Sequence, residues 1–200
     1  MDLNLETLPS NLPAPPDDGR CRHLEGMRLP SLALPATSGS PVDLSAITGI
    51  AVVFVYPMTG RPGVVLPDGW DQIPGARGCT PQACAYRDQS EELRRLGVQA
   101  VYGLSAQDTA YQREAAERLH LPFPLLSDSE LKFAKTVGLP LFTVAGLTLI
   151  RRVTFISSRG IIRKVFYPVF PPDQNASAVV AWLGTEGGET LRRSAVWSIP

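Results

Sequence analysis

Residues 50–57 read IAVVFVYP, an unbroken apolar run closed by Pro57. A strand with one face in water alternates apolar and polar side chains, whereas a run that is apolar throughout has to be buried on both faces. Such a strand lies in the interior of a sheet, with packed layers above and below it. With 200 residues, 44% of them apolar, the chain is long enough to supply that core in one domain.

The segments after this strand alternate in type. Residues 81–96 have the helical pattern, with Thr80 as a cap, Pro81 at the first position, Gly97 as the stop and Glu91 placed to pair with Arg95. VQAVYGLS at 98–105 is a second buried strand, followed by a helix capped by Asp108 and running to about residue 119. FPLLS at 123–127 is a short third strand, and residues 129–137 form a third helix. RVTFIS and IIRKVFYP flank Ser158-Arg159-Gly160 and make a hairpin, and a last helix spans about 175–183. Upstream, residues 29–44 alternate short apolar runs around a Ser-Gly-Ser turn, as a small hairpin does. Alternation followed by an antiparallel pair and a closing helix describes an α/β, thioredoxin-like fold: a central mixed sheet flanked by helices, with an N-terminal hairpin extension. The domain is expected over 25–185, after a flexible Pro-rich segment at 1–24 and before a C-terminal tail at 186–200.

The formal net charge is zero, without the basic footprint of a nucleic-acid binder. No segment approaches the roughly 20 apolar residues that span a bilayer, and the N-terminus lacks the basic and apolar regions of a secretory signal. Three cysteines are an odd, low count, so the expected setting is the cytoplasm, with thiols reduced at rest.

Two of the three cysteines lie in ARGCTPQACAYRD, residues 76–88. Cys79 stands one or two residues before the expected helix. There, free N–H groups and the helix dipole favour a negative charge, and Arg77 is close in sequence. Cys84 lies five residues on; in an intact helix that is a rise of about 7.5 Å and a turn of about 140°, too far for a disulfide unless the first turn or two unwinds. Buried cysteine is also simply a small apolar residue, and Cys84 fits that reading equally well. Metal-ligand spacing is absent, and His23 and His120 are isolated.

The segment GCTPQACAYRD resembles the peroxidatic segment of peroxiredoxins, nearest to the bacterioferritin comigratory protein or Q-type branch. LLSD at 125–128 and the Arg-x-Thr-Phe strand at 152–155 extend the resemblance over about residues 25–185. It implies a thiol peroxidase acting on hydrogen peroxide or organic hydroperoxides. Cys79 matches the peroxidatic cysteine, Cys84 the resolving cysteine, and Arg152 the family arginine that stabilises thiolate and leaving oxygen. It further implies a thioredoxin- or glutaredoxin-type reductant, a monomer or weak homodimer, and no metal, haem or flavin.

One departure stands out. The family proline and threonine fall at Gln72 and Ala76, while YPMTG places Pro57 and Thr59 directly after the first strand, ahead of an insertion over residues 60–74. Thr59 is the candidate to fold back and supply the missing hydroxyl, with an ordinary turn residue as the alternative. Trp70, Val64 and Val65 form either a lid over the pocket or a solvated insertion. Cys21 is a second possible resolver, and only one of Arg151 and Arg152 can face Cys79, since strand neighbours point to opposite faces. Two other classes remain open: a non-enzymatic binding or sensing module, and a general thiol–disulfide oxidoreductase.

Overall fold

The computed structural model describes residue 5 and residues 7–196. The strands are β1 (Ala33–Leu34), β2 (Val42–Asp43), β3 (Ile50–Val55), β4 (Val98–Ser105), β5 (Leu125–Ser127), β6 (Leu141–Val144), β7 (Leu147–Ile150), β8 (Val153–Ser158) and β9 (Ile161–Phe166). The helices are α1 (Cys79–Asp88), α2 (Ser90–Arg95), α3 (Thr109–Arg118), α4 (Lys132–Val137), α5 (Asn175–Leu183) and α6 (Glu186–Val196).

Five strands form one sheet in the order β5-β4-β3-β8-β9. The β5, β4 and β3 strands are parallel, and β8 and β9 complete it antiparallel, so the sheet is mixed as expected. The apolar run is its middle strand, every residue of β3 being buried. Ile50, Val52 and Phe54 join a core with Tyr86 of α1, Leu93 of α2, and Val179 and Leu183 of α5. Val53 and Val55 point the other way, into a core with Phe133 and Val137 of α4 and with Leu24, Leu29 and Leu34 of the N-terminal region. The two-residue period of a strand thus sorts one apolar sequence into two cores.

The structure corrects several expected boundaries. The helix expected over 81–96 is two helices, broken at Gln89, and it starts earlier, at Cys79. Gly78 and not Thr80 is its cap, and Pro81 takes the third helical position, where an N–H has no intrahelical partner to lose. Arg95 pairs with Glu92 at 2.6 Å, three residues back, rather than with Glu91. The third helix begins at Lys132, because Asp128 accepts the N–H groups of Phe133 and Ala134 and Leu131 adopts a φ of 56°. An unexpected hairpin, β6–β7, occupies 141–150.

Both ends also differ from expectation. Residues 186–196, read as a tail, form α6, whose Leu191 is buried beside Val98 and Leu183. The lead-in runs against the domain: Asp18 accepts the Tyr167 hydroxyl at 2.8 Å, and Cys21 is buried in the core with Leu24.

Candidate active site

Gly78 takes φ 100°, a conformation that L side chains rarely adopt, and a Cβ there would collide with Pro172 and Leu8. This lets the loop turn directly into α1 and makes Cys79 its first residue. Only 2% of Cys79 is exposed. Its sulfur therefore sits in the first turn of a helix, among N–H groups without intrahelical acceptors, in a water-poor setting.

Arg152 closes the other side. It lies between β7 and β8, is 3% exposed, and reaches the sulfur with Nη2 at 3.2 Å. The same nitrogen donates to the carbonyls of Ala76 and Arg77 at 3.1 Å each, and Nε donates to Gly75 at 3.3 Å. Nη1 donates to Gln82 Oε1. A buried guanidinium needs acceptors for its fork of donors, and three successive loop carbonyls, one helix amide and one sulfur supply them. The register question is thereby answered: Arg152 faces Cys79, and Arg151 lies over the Phe142 ring, 5.4 Å from its centroid.

Sequence reasoning missed a polar cluster behind the arginine. Asn175, at the start of α5, accepts through one oxygen from Gln82 Nε2 at 2.9 Å, Tyr86 at 2.7 Å and Thr154 at 2.7 Å. Gln82 thus connects Arg152 to Asn175, and α1, α5 and β8 are tied at one point. The available signal was spacing: Gln82 lies three residues after Cys79, on the same helix face, and so was bound to be buried with it.

Thr59 is not brought to the sulfur by any hydrogen bond among the described residues. Its hydroxyl donates to Gln107 Oε1 at 3.0 Å, its N–H to the same oxygen at 2.9 Å, and its carbonyl accepts from Gln107 Nε2 at 3.1 Å. The Gln107 amide thus engages Thr59 at three atoms and fixes where the insertion leaves the domain. What stands at the place of the family threonine is Ala76, whose carbonyl accepts from the Cys79 thiol at 3.5 Å.

The insertion is not a lid but the solvated alternative: most of residues 61–72 are exposed, with Trp70 tucked against the domain. Trp70 is buried, 6.3 Å centroid to centroid from Phe142 of β6, and joins Ala76 and Leu149 in a small core of its own; Val64 and Val65 are exposed. Cys84 is half-buried in the same helix as Cys79, and no disulfide joins the two. Cys21 is buried, and burial together with nearby Asp18 and Asp17 pushes its thiol up to about 12.

A reactive-looking cysteine at a helix start, on a thioredoxin-like sheet and under a buried arginine, defines a class, and the comparisons agree with it. Residues 24–181 match the Redoxin family, and the chain belongs to that family. Within it the likeness is to peroxiredoxins of the Q type. The chain is 31% identical over 153 residues to the chloroplastic peroxiredoxin Q of Populus jackii, covering 76% of this chain and 63% of that protein. It is 32% identical over 153 residues to that of Sedum lineare, covering 76% and 73%. The crystal structure of peroxidoxin BcpB from Mycobacterium tuberculosis superposes with a TM-score of 0.63 at 26% identity, over 80% of this chain and 95% of that one.

Proposed function

We propose that the protein is a thiol-dependent peroxidase that reduces hydrogen peroxide or organic hydroperoxides at Cys79. The observation that carries this is the 3.2 Å contact between Arg152 Nη2 and the Cys79 sulfur at a helix start. In the first step the Cys79 thiolate attacks one peroxide oxygen; an S–O bond forms, the O–O bond breaks, and the other oxygen leaves as alkoxide or hydroxide and takes a proton. Negative charge moves from sulfur to the departing oxygen, and a fixed guanidinium beside both stabilises it throughout. With Thr59 held by Gln107, peroxide activation rests on Arg152 and the first-turn N–H groups.

In the second step Cys84 attacks the sulfenic acid sulfur, a disulfide forms and water leaves. Both cysteines belong to α1, so this step requires the start of that helix to unwind and release Gln82 and Tyr86 from Asn175. A dithiol of the thioredoxin or glutaredoxin type then takes up the oxidation. The low, odd cysteine count supports a thiol-reducing compartment, the cytoplasm, and a monomer or weak homodimer suffices, since both cysteines lie in one chain.

The test is peroxide consumption coupled to a thioredoxin system. Cys79→Ser abolishes turnover, whereas Cys84→Ser permits one oxidation of Cys79 and blocks recycling. Full turnover by Cys79→Ser would remove the peroxidase reading, and reduction of insulin disulfides independent of peroxide would replace it with general thiol exchange.

A further inference from the structure

Arg151 is the one cation of the arginine pair that the proposed chemistry leaves unused. Its Nε is buried without a hydrogen-bond partner, and among the described residues its guanidinium forms no ion pair. Arg152, by contrast, has the Cys79 sulfur to face.

Both arginines line one cavity of about 240 Å³. Its walls are apolar: Pro57, Phe142 and Pro168 from the domain, and Pro15 and Pro16 from the lead-in, which precedes the family-matched residues 24–181. Asp18 is the acidic residue at this cavity, but its oxygens are already engaged. Oδ1 accepts the Tyr167 hydroxyl at 2.8 Å and the Arg20 N–H at 3.2 Å, and Oδ2 faces Arg20 Nε at 3.3 Å. The cavity thus combines an apolar wall, an arginine that makes no close ion pair though it lies in the field of Asp18, and a floor made by the arginine that touches the reactive sulfur. At this volume, below the roughly 300–1,000 Å³ of drug-sized sites, the occupant is about one substituted ring or a short branched chain.

We propose that this cavity is a substrate subsite for organic hydroperoxides that carry a carboxylate, with the organic body against Pro15, Pro16 and Phe142 and the carboxylate on Arg151. This rests on the peroxidase reading for its biological use. The hydroperoxide end then lies toward Arg152, whose Nη2 is 3.2 Å from the Cys79 sulfur, while Cys79 itself stands behind the cavity wall. Arg151 is suited to the task because a carboxylate accepts two parallel N–H groups from a guanidinium.

Binding can be read without turnover. The reduced full-length chain is titrated with 4-isopropylbenzoate, a non-reactive stand-in for the carboxylated ring, and with the neutral 4-isopropylbenzamide. The acid is expected to bind about tenfold more tightly than the amide, the effect of one good charge-assisted contact. Arg151→Met is expected to bring the two to parity, Arg151→Lys to keep part of the preference, and Asp18→Asn to increase it by removing a nearby negative charge. Equal binding of acid and amide by the unaltered protein, or an undiminished preference in Arg151→Met, would overturn the subsite. The peroxidase reading fails separately, through the Cys79→Ser assay, so the two failures cannot be confused.

Discussion

Arg152 is the residue on which the chemistry turns. Arg152→Met removes the positive charge beside the sulfur, and the second-order rate of Cys79 oxidation by hydrogen peroxide, followed by stopped-flow fluorescence, is expected to fall about 10²–10³-fold, the usual effect of losing one donor to a developing oxyanion. Cys21 supplies the contrast. With its thiol pushed up to about 12, it is protonated at neutral pH and makes a poor resolving nucleophile. The sign follows from the proton being held more tightly in the folded chain: the stabilisation is complete below the ordinary thiol range and is lost as pH rises toward 12. Iodoacetamide at pH 8 should therefore label Cys21 at least a hundredfold more slowly in the native than in the unfolded protein, and Cys21→Ala should leave peroxide turnover intact; rapid native labelling would reverse this view. At this scale Cys79 was legible because helix-start geometry is a local rule, and Arg152 because its segment resembles the family's Arg-x-Thr-Phe strand; alternation alone could not choose between Arg151 and Arg152. Thr59 was not legible, since the partner that holds its hydroxyl, Gln107, lies 48 residues away and only the folded loop brings them together.

Among the elements, α1 carries both cysteines, and its stability in the reduced state is set by the Asn175 junction. Asn175→Ala would leave Gln82, Tyr86 and Thr154 with buried donors and no acceptor. At about 1–3 kcal/mol for each orphaned group, partly recovered by relaxation, the expected loss is about 3 kcal/mol, visible as a lower urea midpoint. An unchanged midpoint would mean that the three donors find other acceptors. Element types were largely readable from periodicity: β3, β4, the β8–β9 hairpin and α5 stand where the apolar pattern puts them. The β6–β7 hairpin was missed, although LFTV and LTLI flank a two-residue Ala-Gly turn. The break at Gln89 was not legible, since residues 81–96 are helical in composition throughout. Nor was α6, an amphipathic segment whose two adjacent glycines, Gly187 and Gly188, argue against a helix.

At the level of the whole molecule, the sheet separates two cores, and the site lies where the loop before α1 meets the end of the β6–β7 hairpin. Additions outside the family-matched span contribute to both regions: α6 extends the core beneath α1 and α5, and the lead-in walls the cavity at Arg151 and Arg152. Sequence pattern gave the layers because burial on both faces of β3 leaves few arrangements. It did not give the path of the lead-in, whose prolines and polar residues have no period and whose position depends on single contacts such as Asp18 with Tyr167.

The three carbonyls held by Arg152 belong to the stretch that directly follows the insertion. One guanidinium is therefore both mortise pin and counter-ion, so no substitution at this position can separate scaffold from chemistry. Any redesign of the insertion has to deliver the oxygens of Gly75, Ala76 and Arg77 to the same place, or it detunes the thiol without touching it.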